Sequence, residues 1–286
     1  MAGGHTDQRF QINGAQYVYF CGLDSVVHEY TYGNNGDFNW VDNKLPATTK
    51  GYCNGDNGST SIAAVATSPN NQRHVYYLAA STSTVTDPVR QLYFNGSKWV
   101  NQPFSSLVKG SKVAVKGAYI SAVTINNNQY VFFVGQKGVI YMYSYVDDWA
   151  ITNLSEAATA PHASDQIDST GVVAFVVPGT RKIEIYYASG STNDVNQLTF
   201  ANNAWSDEDL TARTGGSGPN ASSQMTALST PGNFHVYLNE GDGMSQMYFN
   251  GSDWVNQGLP SVPVSQTGTA SFAISNDQYV YYISTN

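Results

Sequence analysis

At 286 residues and 31.0 kDa the chain is long enough to bury a core without metals or disulfide staples. Charged residues are 12% of it, against roughly 25% in an average domain, and the formal charge is −8 with no basic run, which excludes a phosphate-neutralising nucleic-acid surface. No apolar stretch reaches the length of about 18 residues that a spanning helix needs, so no membrane insertion is expected. The opening Met1-Ala2-Gly3-Gly4-His5 lacks the basic-then-apolar profile of a secretion signal. The expected location is therefore the cytoplasm or outside the cell by unconventional export.

In chain order, the first predicted pair is Arg9 to Asn13 and the aromatic tetrad YVYF at Tyr17, followed by VVHEYTY from Val26 and a long turn, Glu29 to Trp40. Cys21 and Cys53 are the only cysteines, too few for a disulfide framework. They are read as free thiols, with one bridge between them left open. The second unit runs from Ile62 to Thr67, then HVYY at His74, VRQLYF from Val89, and a strand opening at Trp99. The third is Tyr119 to Ile125, YVFF at Tyr130, GVIYMYSY from Gly138, and Trp149. A fourth has Gly171 to Val177, EIYY at Glu184, VNQLTF from Val195, and Trp205, and a fifth Met225 to Thr230, HVYL at His235, SQMYF from Ser245, and Trp254. Two last strands, Ala270 to Ser275 and YVYY at Tyr279, lead to Asn286.

These units are one repeat. FNGSKWVNQ from Phe94 returns as FNGSDWVNQ from Phe249 with a single difference, and every Trp holds the same place, at the head of a fourth strand. In four units the residue aligned with Gln91 (Gln91, Tyr141, Gln197, Gln246) stands eight before its Trp, so the turn is expected to keep one length. Asn95-Gly96 and Asn250-Gly251 fit the positive-φ pair of a type I′ turn. Apolar runs followed by β-branched and aromatic tetrads suit strands buried on both faces, helical periodicity is missing, and no helices are expected. Four-stranded units of about 50 residues read as blades of an all-β propeller, with 1–286 as a single domain. Six blades with a short last one is the reading adopted, five the alternative.

The clear inner strands carry no Asp or Glu, so the paired carboxylates of a glycosidase are missing, as are nucleophile-elbow, phosphate-loop and zinc-helix motifs. No enzyme, cofactor or metal is expected. Asn54-Gly55-Asp56-Asn57-Gly58 has no acidic twelfth position for calcium and reads as a turn. The sequons at Asn57, Asn95, Asn153, Asn220 and Asn250 also read as turn residues.

The apolar inner strand, the tetrad, the third strand and the NGSKW-type turn together resemble the fungal fucose-binding lectins, six-bladed propellers. The resemblance spans the chain and is sharpest from His74 to Gln102 and from His235 to Gln257. It implies sugar sites between neighbouring blades, held by an Arg opening the second strand, a Glu in the third, and an aromatic plus the turn Trp of the next blade. Position by position, the Arg place is taken by Tyr17, His74, Tyr130, Glu184, His235 and Tyr279, and the Glu place by Glu29, Gln91, Tyr141, Gln197 and Gln246. The charged clamp is thus expected to be absent from every repeat. The aromatic wall persists as Tyr32 with Trp40, Phe94 with Trp99, Phe200 with Trp205 and Phe249 with Trp254, while Ser144 interrupts it in the third unit.

The expectation is a multivalent lectin that is not fucose-selective, whose partners are glycans or glycoconjugates, with a homodimer left open. Its best clefts pair Tyr17 and Glu29 with Phe94 and Trp99, and Glu184 and Gln197 with Phe249 and Trp254. Lesser ones set His74 and Gln91 against Trp149 alone, and His235 and Gln246 against the short sixth blade. Aromatic platforms beside amides and imidazoles suit a sugar's C–H face and hydroxyl edge. The same Trp residues fit a purely structural role between blades, and a peptide-binding propeller is the alternative function.

Overall fold

A computed structural model describes residues 8–12, 14–22, 24–33, 39–45, 53, 61–68, 72–81, 83, 86–161, 163, 171–190, 192–216, 225–230, 232–239, 244–259, 269–274 and 277–282. The calcium-like loop 54–58, the sequons at Asn57 and Asn220, and the side chain of Tyr279 lie outside this set.

Each repeat is an antiparallel four-stranded sheet in chain order. Blade 1 comprises β1 (Gln8–Ile12), β2 (Ala15–Cys21), β3 (Val27–Tyr32) and β4 (Val41–Lys44). Blade 2 comprises β5 (Ile62–Thr67), β6 (Gln72–Leu78), β8 (Val89–Phe94) and β9 (Trp99–Pro103), with a small side pair, β7 (Thr86–Asp87) and β10 (Ala114–Val115). Blade 3 runs through β11 (Ile120–Ile125), β12 (Asn128–Val134), β13 (Ile140–Tyr145) and β14 (Trp149–Asn153). Blade 4 has β15 (Val172–Val176), β16 (Ile183–Ala188), β17 (Val195–Ala201) and β18 (Ala204–Asp209), and blade 5 has β19 (Met225–Thr230), β20 (Asn233–Asn239), β21 (Met244–Phe249) and β22 (Trp254–Gly258). A sixth sheet holds two strands, β23 (Thr269–Ile274) and β24 (Asp277–Tyr282). The inner strands lie side by side in the order β1, β5, β11, β15, β19, β23, which makes the assembly a β-propeller of five full blades and a two-stranded sixth.

Successive blades bury the two faces of each sheet against their neighbours. Tyr17, Tyr19 and Val27 of blade 1 form one core with Ile62, Val75, Tyr77 and Leu92 of blade 2. The other face of blade 2, with Ala63, Tyr76 and Val89, packs on Ile120, Val131 and Tyr143 of blade 3. Alternation along a strand therefore sends one side chain forward and the next backward to different seams, a parity that governs the sites below.

Three expectations need correction. Cys21 and Cys53 are bridged, with Cα atoms 6.2 Å apart, and the Cys53 amide donates to the Ser25 carbonyl at 3.0 Å. The bridge ties the end of β2 to the connection between blades 1 and 2. Helices are also present: α1 (Phe104–Leu107), α2 (Leu154–Ala157) and α3 (Leu210–Thr214) each follow a fourth strand, and each first residue is buried in the core between its blade and the next. Asn153 and Asp209 cap the latter two, accepting from Glu156 N at 3.2 Å and Ala212 N at 2.8 Å. Finally, in the Asn-Gly turns only Gly96 and Gly251 have positive φ, at 95° and 96°. Asn95 Oδ1 instead accepts from the amides of Ser97 and Lys98, closing a four-residue turn. The two-residue turns with paired positive φ are at Asn126-Asn127 (52°, 68°) and Asn202-Asn203 (53°, 63°).

Candidate functional site

The seam between two blades is lined by the forward face of one blade's second and third strands and the backward face of the next blade's second strand, with that blade's turn aromatics at the rim. In the first seam, between blades 1 and 2, the expected Tyr17, Glu29, Phe94 and Trp99 come together, with Arg73 in their midst. The Arg73 guanidinium carbon lies 4.6 Å from the Tyr17 ring centre, 4.3 Å from Phe94 and 5.3 Å from Trp99. Its Nε is 3.3 Å from Glu29 Oε2 but outside hydrogen-bonding direction, so the pair is held by proximity of charge. Tyr19 donates to the same Oε2 at 2.5 Å, and Asn43 Nδ2 donates to Oε1 at 3.3 Å. Burial pushes the Glu29 carboxyl up from its ordinary pKa, opposed by the nearby guanidinium and these donors. Phe94 and Trp99, with centroids 5.6 Å apart, are half-buried at the rim.

The second seam is a closed net of amides around an imidazole. Gln91 Nε2 donates to His74 Nδ1 at 3.0 Å and to the Tyr76 hydroxyl at 3.2 Å; Tyr76 in turn donates to Gln129 Oε1 of blade 3. Gln102 Nε2 supplies Gln91 Oε1 at 2.8 Å, and Thr67 Oγ1 meets His74 Nε2 at 3.2 Å. Gln129 Nε2 also approaches His74 Nε2, at 3.4 Å, so amide nitrogens face the imidazole on both sides. Burial lowers the His74 pKa to about 4, so the ring is neutral at pH 7. Trp149 joins this seam through Tyr76, at 6.2 Å.

Trp149 is not alone. Tyr145 pairs with Trp149 across the turn, as Phe94 does with Trp99, because the third blade's turn holds three residues where the second blade's holds four. The one-residue difference also moves Met142, not Tyr141, opposite Phe132, the place that Gln91 takes opposite Tyr76. Hence the third seam is apolar at this place: Phe132 and Met142 face Ile183, Phe200 and Trp205.

In the fourth seam the expected groups are linked through Tyr186, whose hydroxyl accepts from Gln197 at 3.1 Å and whose ring meets Trp254, beside Phe249, at 5.9 Å; Glu184 is fully buried, at 0% exposure. Gln197 Nε2 and Thr199 Oγ1 donate to Glu184 Oε2 at 2.7 and 2.6 Å, and Lys182 Nζ lies 2.5 Å from Oε1, off its hydrogen-bonding directions. Phe234 stacks on Phe249 at 5.6 Å, and Trp254 is buried. On the forward face of blade 5, Gln246 Nε2 donates to His235 Nδ1 and to the Tyr237 hydroxyl at 3.2 Å, repeating the His74, Gln91, Tyr76 arrangement. Burial again lowers the His235 pKa.

No protein-family model matches the chain, and no curated protein matches it in sequence. Among solved structures it is similar to the six-bladed, fucose-recognising lectin of Aleuria aurantia, with a TM-score of 0.67 at 19% identity over 98% of this chain and 88% of that one. The fold is that of the fungal lectin propellers. AofleA of Arthrobotrys oligospora matches with a TM-score of 0.68 at 13% identity over 98% of this chain and 78% of that one. An ulvan lyase matches more loosely, with a TM-score of 0.59 at 13% identity over 96% and 75%.

The clamp position itself holds no Arg in any repeat, as expected, but the first seam gains an Arg–Glu pair from a position that the comparison does not weigh. Arg73 sits one residue before the aligned His74, so strand alternation turns it backward, across the seam, to Glu29. The same position in later blades carries Gln129, Ile183 and Phe234, each filling the seam behind it.

Proposed function

We propose that the protein is a carbohydrate-binding propeller that binds rather than transforms its ligand. One observation carries this reading: the first seam holds a half-buried aromatic pair, Phe94 and Trp99, opposite a carboxylate and around a guanidinium. A sugar needs just such a platform beside groups that donate and accept. Glu29 and Glu184 lie in different seams, each beside its own cation, so among the described residues these two do not form the facing carboxylate pair that glycoside hydrolysis requires. The structural neighbours named for fucose recognition support the lectin class. Fucose selectivity is not part of the proposal, since Arg73 reaches the seam from the opposite blade and its donors point differently from a clamp built on one blade. The Cys21–Cys53 bridge favours an oxidising environment, and thus export, over the cytoplasm.

The seams are unequal, so the avidity expected of identical sites is replaced by one leading cleft with subsidiary ones. A glycan array followed by calorimetric titration tests the proposal: a hit reversed by free monosaccharide supports it, and an array without hits refutes it. Titration with methyl α-L-fucoside is expected to show no micromolar binding.

A second reading, protein interaction, rests on Tyr30, Trp40 and Val41, exposed at 37%, 47% and 42% on the outer strands of blade 1. A one-to-one complex with a folded partner, abolished by Trp40→Ser and indifferent to monosaccharide, would favour it.

A further inference from the structure

Resting on the reading of the first seam as a sugar cleft, we infer that its ligand is an acidic sugar, carrying a carboxylate or sulfate that Arg73 grips, and that among the described seams this is the one such site.

The inference comes from what the guanidinium has left to offer. Its side chain is 12% exposed, and the rings of Tyr17, Phe94 and Trp99 surround its carbon at 4.3 to 5.3 Å. Aromatic packing uses the faces of a guanidinium and leaves its N–H edge available. Glu29 makes no hydrogen bond to that edge: its Oε2 lies 3.3 Å from Nε, off the bonding direction, and its oxygens accept from Tyr19 and Asn43 instead. Among the described residues, Nη1 and Nη2 have no hydrogen-bond acceptor. The two Nη groups of a guanidinium form a fork matched to two oxygens on one centre, which a carboxylate or sulfate presents and a single hydroxyl does not.

No other described seam has this to give. Gln129 is committed to Tyr76 and Gln91, Ile183 and Phe234 are apolar, and Lys182 already lies against Glu184. Since the whole chain carries a charge of −8, preference for an anion has to arise from direct contact in this cleft and not from long-range attraction.

The test is calorimetric titration of the full chain with methyl β-D-glucuronide, methyl β-D-glucoside and methyl β-D-glucoside 6-sulfate, which differ only at one ring substituent. Charge-assisted bonds are roughly twice as strong as neutral ones, so at least one anionic sugar is expected to bind about tenfold tighter than the neutral one, at one per chain; the two anionic arms tell carboxylate from sulfate. Arg73→Gln should erase the difference, and it introduces a residue that the equivalent place in blade 3 already holds as Gln129. Arg73→Lys should keep part of it as a point charge. Equal or tighter binding of the neutral glucoside overturns the inference and leaves the lectin reading standing. An anionic preference that survives Arg73→Gln overturns it as well. If none of the three sugars binds and a glycan array is also blank, the lectin reading falls with it.

Discussion

The Tyr19 ring of blade 1 meets the Trp99 ring of blade 2 edge to face, with centroids 6.2 Å apart and planes at 72°. The geometry recurs at Tyr76 and Trp149 (6.2 Å, 79°), Phe132 and Trp205 (6.3 Å, 76°), and Tyr186 and Trp254 (5.9 Å, 72°). Each joint sets the positive edge of one ring against the negative face of another. The repeated tryptophan is therefore first a bond between blades, and only where it stays half-buried beside its turn partner is it also a surface for a ligand.

That double role separates the tryptophans energetically. Trp254 is 6% exposed, and Trp254→Ala should cost about 3–5 kcal/mol, as for other buried aromatic truncations. Trp40 is 47% exposed, and Trp40→Ala should cost less than about 1 kcal/mol. Urea unfolding of the two variants checks the ordering; equal losses would show that seam packing does not set the role of Trp254.

Removing the Cys21–Cys53 bridge should destabilise the protein. The cysteines are 32 residues apart, and a loop of that size is worth about 3–4.7 kcal/mol in the chain-entropy account. Both half-cystines are buried, at 2% and 1% exposure, so a paired Cys→Ala variant is a better probe than mild reductant. Its urea midpoint should fall without loss of β circular dichroism, and an unchanged midpoint would show that the bridge adds nothing to stability.

Much of the architecture is legible in the sequence because its signals are local. The apolar run Ile62 to Thr67 coincides with its strand and the tetrad HVYY at His74 lies inside the strand Gln72–Leu78, since strands buried on both faces leave little room for polar interruption. The site is harder to read because seams depend on parity. A spacing of eight from Tyr141 to Trp149 hides a three-residue turn, and a slip of one flips every side chain to the other face. Arg73 escapes motif comparison for the same reason: alignment weighs its neighbour His74 and not the blade that Arg73 faces. The disulfide depends on Cys53 being brought to the end of β2, which no count of cysteines reveals, and one-turn helices such as Leu154–Ala157 are too short to show a period.

Acid should loosen the second seam. His74 has a folded pKa lowered to about 4, below its ordinary 6.5, because burial disfavours the imidazolium. The unfolded state binds the proton more readily, so the contribution of neutral His74 is fully present above pH 6.5 and is lost as pH falls toward 4. The loss is on the order of 3 kcal/mol. Unfolding free energy measured at pH 7 and pH 4.5 should differ less in His74→Gln than in the native protein. Identical pH dependence in both would place the acid sensitivity elsewhere.

The sharpest test of how polarity is written into the seams lies in blade 3. Wherever the third strand carries Glu or Gln facing the next seam, the second strand opposes it with a tyrosine whose hydroxyl it bonds: Tyr19 with Glu29, Tyr76 with Gln91, Tyr186 with Gln197, Tyr237 with Gln246. Blade 3 alone among the five full blades has Met142 there, and opposite it Phe132. The hydroxyl and the amide are thus one unit, each placed to satisfy the other. Phe132 is fully buried, so Phe132→Tyr alone should strand a hydroxyl beside a thioether and cost about 1–3 kcal/mol. Met142→Gln alone should cost a similar amount for its unpaired amide. Made together, the two should recover at least about 1 kcal/mol of the summed loss, because the introduced amide can donate to the introduced hydroxyl; the coupling energy of a double-mutant cycle in urea measures it. Strict additivity would show that the tyrosine and the third-strand amide are independent, and that their pairing in the other four blades reflects packing alone.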